Sequence, residues 1–83
     1  MNPTTIKLHP NDNVAVAVKT LPKGSEAGSP GVTTEAPVPA GHKVAQARID
    51  IDQPIRKYNQ IIGFASKTIL PGQHVHSHNV TLR

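Results

Sequence analysis

The chain has 83 residues, nine Lys or Arg against five Asp or Glu, a formal charge of +4, and no cysteine. A chain this short is expected to form one domain, residues 1–83, and too little core is available to hold a complete enzyme site. Disulfides and thiolate metal sites are excluded, and a small scaffold without them leans on a partner chain or on a histidine-held metal. The basic residues are dispersed and the only aromatics are Tyr58 and Phe64. A nucleic-acid binder would show a basic stripe or stacking aromatics, so no nucleic-acid partner is expected. No apolar run approaches the length of a membrane span, and the start Met1-Asn2-Pro3-Thr4-Thr5 lacks the pattern of a signal peptide. No membrane association and a cytoplasmic location are the expectations.

Eight prolines and six glycines break any helical period, so the chain reads as mostly β. Thr5 to Leu8 is the first short strand. Asn13 to Thr20 alternates Val and Ala, with Val14, Val16 and Val18 on one face and small Ala15 and Ala17 on the other. Small residues there imply that something packs closely on the second face as well. The segment Gly24 to Gly31 reads as an exposed, mobile loop. Ile49 to Ile51, Ile55 to Tyr58 and Ile61 to Ala65 are further short strands. Asn59 tolerates positive φ and suits a tight turn before Ile61.

Three turns recur: Leu21-Pro22-Lys23-Gly24, Val38-Pro39-Ala40-Gly41 and Leu70-Pro71-Gly72. Proline presets φ, and glycine supplies the positive φ of a type II turn. Ala17-Val18-Lys19-Thr20-Leu21-Pro22-Lys23-Gly24 aligns with Ala65-Ser66-Lys67-Thr68-Ile69-Leu70-Pro71-Gly72, and Val14 and Val16 align in character with Ile62 and Phe64. The repeat predicts two similar β units related by a pseudo-twofold axis.

The run His74-Val75-His76-Ser77-His78-Asn79-Val80 carries the densest chemistry. On one strand face, neighbouring imidazoles of such a run lie about 7 Å apart. Two can meet on one divalent ion, and a bend after His76 changes what the third can reach. Alternatively, a strand at His74 to His76 leads into a turn at Ser77 to Asn79, with Val75 and Val80 packing inward. A solvated, histidine-rich chain end is equally compatible with the residues. His42-Lys43 leaves a Pro-Ala-Gly turn, where imidazole can move a proton and lysine can meet a carboxylate. Asp12-Asn13, just before the Val/Ala strand, either begins a turn or contacts a ligand. There is no phosphate loop, no dinucleotide fingerprint, no Ser-His-Asp order and no acid/base pair of carboxylates.

Asp12-Asn13-Val14-Ala15-Val16, Gly41-His42-Lys43-Val44-Ala45, Ile55 to Ala65 and Pro71 to Asn79 together resemble the SAF domain of the altronate and galactarate dehydratase family. The resemblance covers nearly the whole chain in the same motif order. It implies a β-clip fold, a compact barrel-like arrangement of short strands with pseudo-symmetric halves. It implies a lyase that removes water, or sulfite in the sulfolactate branch, from a hydroxy acid. It also implies a divalent metal, Fe or Mn, in the assembled enzyme. The chain would then be a small subunit, inactive alone, completing a site with a separate large catalytic dehydratase subunit. His42 and Lys43 are the catalytic candidates. Asp12, Asn13 and Tyr58 are candidates for binding the sugar-acid substrate, and His74, His76 and His78 for binding metal. His42 and at least one of His74 and His76, each leaving a Pro/Gly turn, are expected on the same side of the domain, lining a groove that the large subunit completes. Asn59 stands where the family pattern expects glycine. A non-catalytic SAF module that binds a sugar acid or a protein is the alternative.

Overall fold

The computed structural model describes residues 3–82. Among them, seven short strands form two antiparallel sheets: β1 (Thr5–Ile6), β2 (Val14–Ala17), β3 (Lys43–Ala45), β4 (Pro54–Lys57), β5 (Gln60–Ala65), β6 (His74–Val75) and β7 (Val80–Thr81). The first sheet runs β1-β2-β3-β6 and the second β4-β5-β7. No described segment is helical, and no helix is long and apolar enough to cross a membrane.

The core divides in two because β2 and β3 are covered on both faces. Val14 and Ala45 pair across the strands and join Ile49, Ile55, Ala65, Ile69 and Val75 in one cluster. Ala17 and Val44 point the other way, into a cluster with Leu21, Ala27, Val32 and Val38. The small Ala15 and Ala17 are only 1% exposed, so the second face of this strand is closely packed, as its residue sizes imply. Each fully buried Val, Leu or Ile of these clusters contributes about 1.5–3 kcal/mol.

The internal repeat extends to the hydrogen bonds. Leu21 pairs with Val38, and its counterpart Ile69 pairs with Ile49. The Gly24 N–H donates to Thr34 O, and the Gly72 N–H to Ala45 O. Val16 lies opposite Lys43, and Phe64 opposite Pro54. The third strand follows suit: Val18 N–H donates to Thr4 O and Ser66 N–H to Asn79 O. Strands β1-β2-β3 therefore correspond to β7-β5-β4, which is the pseudo-twofold relation the repeat predicts.

The Pro/Gly turns fix the strand exits. Gln73 N–H donates to Leu70 O across Pro71-Gly72, and Gly72 has φ +90°. A Cβ at Gly72 would collide with the Thr33 carbonyl, so this position demands glycine for both conformation and space. His42 N–H closes the Pro39 turn in the same way, through Gly41 at φ +82°.

Three local expectations change. The first strand stops at Ile6, short of Leu8. Ile49 makes only an isolated bridge to Ile69, and Ile51 is 53% exposed, because Asp52 at φ +71° turns the chain there. Residues 24–31 are no free loop. Ala27 is fully buried, Glu26 bridges Thr33, and the Ala27 N–H bonds Val32 O.

Candidate functional site

Strands β3 and β6 bring the histidines together. They pair antiparallel, with Val44 opposite His74. Continuing that register sets His42 opposite His76 and diagonal to His74, all on one face. The His42 and His76 rings stack with centroids 4.2 Å apart and 18° between planes. The His42 and His74 centroids are 5.0 Å apart, and those of His74 and His76 5.5 Å. His42 Nδ1 lies 2.8 Å from His74 Nε2, so one ring must offer an N–H and the other a lone pair. His42 and His74 are half-buried, while His76 is exposed.

Asn79 holds the turn that presents these rings. Its Oδ1 accepts from the His76 N–H at 2.9 Å and its Nδ2 donates to His74 O at 2.8 Å. The Asn79 N–H closes the turn onto His76 O, and the residue is only 2% exposed. Val75 is fully buried and Val80 packs against the same core, which anchors the segment on both sides of the turn. Asn79 was visible in the sequence as a turn residue. Its role as the clamp of the histidine loop needs the fold.

The electrostatics favour neutral rings. Burial, then the charges of His76 and Lys43, pushes the His42 pKa below its ordinary value. Burial lowers that of His74, helped by His42, His78, His76 and Lys43. Lys43 sits in β3 between His42 and Val44. Its pKa is also lowered, by burial first and then by Lys57, a neighbour that no local pattern pairs with it.

Neutral imidazoles are the form that binds metal. Among the described residues, His42, His74 and His76 offer one nitrogen each, all within 4.8 Å of one another. Two nitrogens each about 2.1 Å from one ion stand about 3.0 Å apart at a right angle. The 2.8 Å between His42 Nδ1 and His74 Nε2 matches that spacing. These residues therefore fit a divalent cation, with drawing in of the widest pair. His78 stands outside the triple, with its ring 5.2 Å from that of His74 and tilted by 37°.

Asp12, Asn13 and Tyr58 belong to a second constellation, at the β4–β5 hairpin. Asp12 is 4% exposed, and its two oxygens accept from the Tyr58 and Asn59 N–H groups, both at 2.7 Å. Burial raises the carboxyl pKa, but the bonds from Asn59 and Tyr58 outweigh it and hold the group below its ordinary value. Asn13 donates to Pro54 O and accepts from the Arg56 N–H. Asn11 Nδ2 donates to Asn59 Oδ1. Tyr58 and Asn59 both have positive φ, 57° and 58°, which makes the two-residue type I′ turn of a tight hairpin. The sequence indicated Asn59 for such a backbone, but gave no sign that Tyr58 shares it. A polar cleft of about 380 Å³, with Asn13, Arg48 and Arg56 in its lining, opens beside the hairpin.

Comparison with known proteins agrees with this architecture. The chain is 42% identical over 76 residues to the altronate dehydratase of Escherichia coli (strain K12) and 40% identical over 76 residues to that of Bacillus subtilis (strain 168). Each alignment covers 89% of this chain but 15% of the relative, so the chain spans about 15% of the length of these dehydratases. It is also 42% identical over 43 residues to the (2R)-sulfolactate sulfo-lyase subunit alpha of Chromohalobacter salexigens, covering 52% of this chain and 46% of that subunit. Residues 3–83 match the family model of the altronate/galactarate dehydratase SAF domain, and the chain belongs to that family.

Proposed function

We propose that this domain forms one wall of the active site of a hydroxy-acid lyase of the altronate/galactarate dehydratase type, acting as a small subunit beside a separate large catalytic chain. The observation that carries the reading is the convergence of His42, His74 and His76 from two strands onto one face, with the pKa values of His42 and His74 lowered by burial. A divalent cation, Fe or Mn, would be held by His74 and His76 and would supply Lewis-acid assistance to the departing β-hydroxyl. With the cation on His74 and His76, neutral His42 would keep a ring lone pair to accept the proton α to the carboxylate. Lys43 remains a cation for the substrate carboxylate. Asp12 and Asn13 serve the site indirectly, by fixing the hairpin.

In the dehydratase relatives most of the polypeptide lies outside the matched segment, which supports a site completed by more than this domain. The sulfo-lyase relative, named as one subunit of its enzyme, favours a second reading: the small subunit of a (2R)-sulfolactate sulfo-lyase. The test is co-production with the large dehydratase chain and assay on altronate, galactarate and sulfolactate with Fe or Mn. Turnover should need both chains and fall by orders of magnitude with His42→Ala. Turnover by this chain alone, or full activity of His42→Ala in the complex, refutes the proposal. A complex with no activity on any of the three acids points to the non-catalytic module.

A further inference from the structure

The β4–β5 hairpin is held more firmly than a surface turn requires. Five side-chain hydrogen bonds from residues 11–13 reach it, to Pro54, Arg56, Tyr58 and twice to Asn59. Tyr58 is kept at φ 57°, a left-handed conformation that disfavours a bulky side chain. Backbone strain held in place by surrounding bonds is characteristic of functional segments. What this framework displays is apolar: Tyr58 is 67% exposed and Ile61 50% exposed. Arg56 lies directly opposite Ile61 in the hairpin, and Lys57 precedes Tyr58. No acidic residue occurs between positions 54 and 65. The carboxylate nearest in the framework, Asp12, is buried and committed to the backbone.

Tyr and Arg are the residue types that dominate binding hot spots, and a rigid knob binds without the entropy penalty of ordering a loop. The basic flank selects against a second copy of this chain, which would set like charges together on a molecule of net charge +4. In the dehydratase relatives the greater part of the chain lies outside the segment matched here. We propose that the hairpin tip, Tyr58 with Ile61 between Arg56 and Lys57, docks into an apolar, acid-rimmed pocket on the large catalytic chain. The inference rests on the functional reading above and adds the surface through which the two chains join.

The experiment titrates the large dehydratase chain with the full-length wild-type chain and with Tyr58→Ala, Ile61→Ser and Lys57→Glu, checking the fold of each by its thermal melt. Sedimentation velocity reports complexes of every stoichiometry. The wild type should form a hetero-complex. Tyr58→Ala and Ile61→Ser should each weaken it about tenfold or more with the melt retained. Lys57→Glu should weaken it and flatten its salt dependence. If Tyr58→Ala loses its fold, Ile61→Ser and Lys57→Glu decide the matter. Affinities within twofold of wild type for these variants overturn the docking surface and leave the functional reading intact. Wild-type self-association through the tip also overturns it. A wild type that never binds the large chain overturns both.

Discussion

Replacing Asp12 with Ala isolates the contribution of one buried carboxylate to the hairpin. Asp12 accepts the Tyr58 and Asn59 N–H groups at 2.7 Å each, and both donors belong to residues with positive φ. A hydrogen bond to a charged group contributes about 1.5–3 kcal/mol. The turn is exposed, so water recovers part of the loss, and a total of about 3 kcal/mol follows for the pair. A domain of this length has about 4–12 kcal/mol in all. In a thermal melt followed by far-UV circular dichroism, Asp12→Ala should lower Tm by roughly 12–24 °C. A second substitution separates strain from simple loss. Tyr58→Gly removes the penalty on a bulky residue at φ 57°, so in the Asp12→Ala background it should restore about 1 kcal/mol. The pH dependence carries the same signature. The Asp12 pKa is depressed in the fold, so its stabilisation is present above the ordinary value of 3.8 and is lost as pH falls through the lowered one. Asp12→Ala should lack that part of the acid limb. A Tm change below about 3 °C, or no recovery with Tyr58→Gly, would show that the carboxylate does not hold the turn.

The histidines predict a second pH effect of the same sign. His42 and His74 have folded-state values below 6.5, so the unfolded chain binds protons first as pH falls. Stability should be full above about pH 6.5 and decline toward pH 5, with a shallower decline in His74→Ala; a rise in Tm over that range would contradict the neutral stack. At Gly72, alanine meets both φ +90° and the Thr33 carbonyl. Gly72→Ala should destabilise by about 3 kcal/mol or prevent folding, whereas Gly24→Ala, at φ +86° with open space around it, should show only the milder conformational penalty in the same urea titration.

Much of this fold was legible because its punctuation is local. A Pro-Gly turn states its own backbone, and Ala17 to Gly24 against Ala65 to Gly72 stated the repeat. The Val/Ala alternation of β2 also read correctly on its small face. Val18 instead emerges 45% exposed, because the strand ends at Ala17. What failed to show was pairing at long range. Strand β3 is three residues long, and its existence depends on β2 and β6 flanking it rather than on its own propensity. The Pro/Gly turn exits of His42 and His74 do point to a shared side, but the register that stacks the rings, Val44 opposite His74, is encoded in no local pattern. Asp52 was invisible as a turn residue, since it adopts at φ +71° the backbone that Gly41 supplies in the other half.

The pseudo-symmetry shows how the imidazole cluster comes to lie on one side only. The Glu26–Thr33 bridge is the counterpart of the His74–Val44 pair, so Glu26 occupies the position of His74 in the other half. Carrying the repeat two residues further sets Gly28 in the position of His76. There the Gln46 side chain fills the space, accepting from the Ser29 N–H and donating to Ala27 O. The duplicated backbone thus offers two equivalent strand exits. One is closed by an internal amide, and the other is furnished with imidazoles. A fold of this kind supplies the platform twice, but among the described residues only the β3–β6 edge gathers three side chains that could hold a metal ion. That asymmetry is why the family assignment fixes the fold securely, while the reaction has to be argued from His42, His74 and His76 themselves.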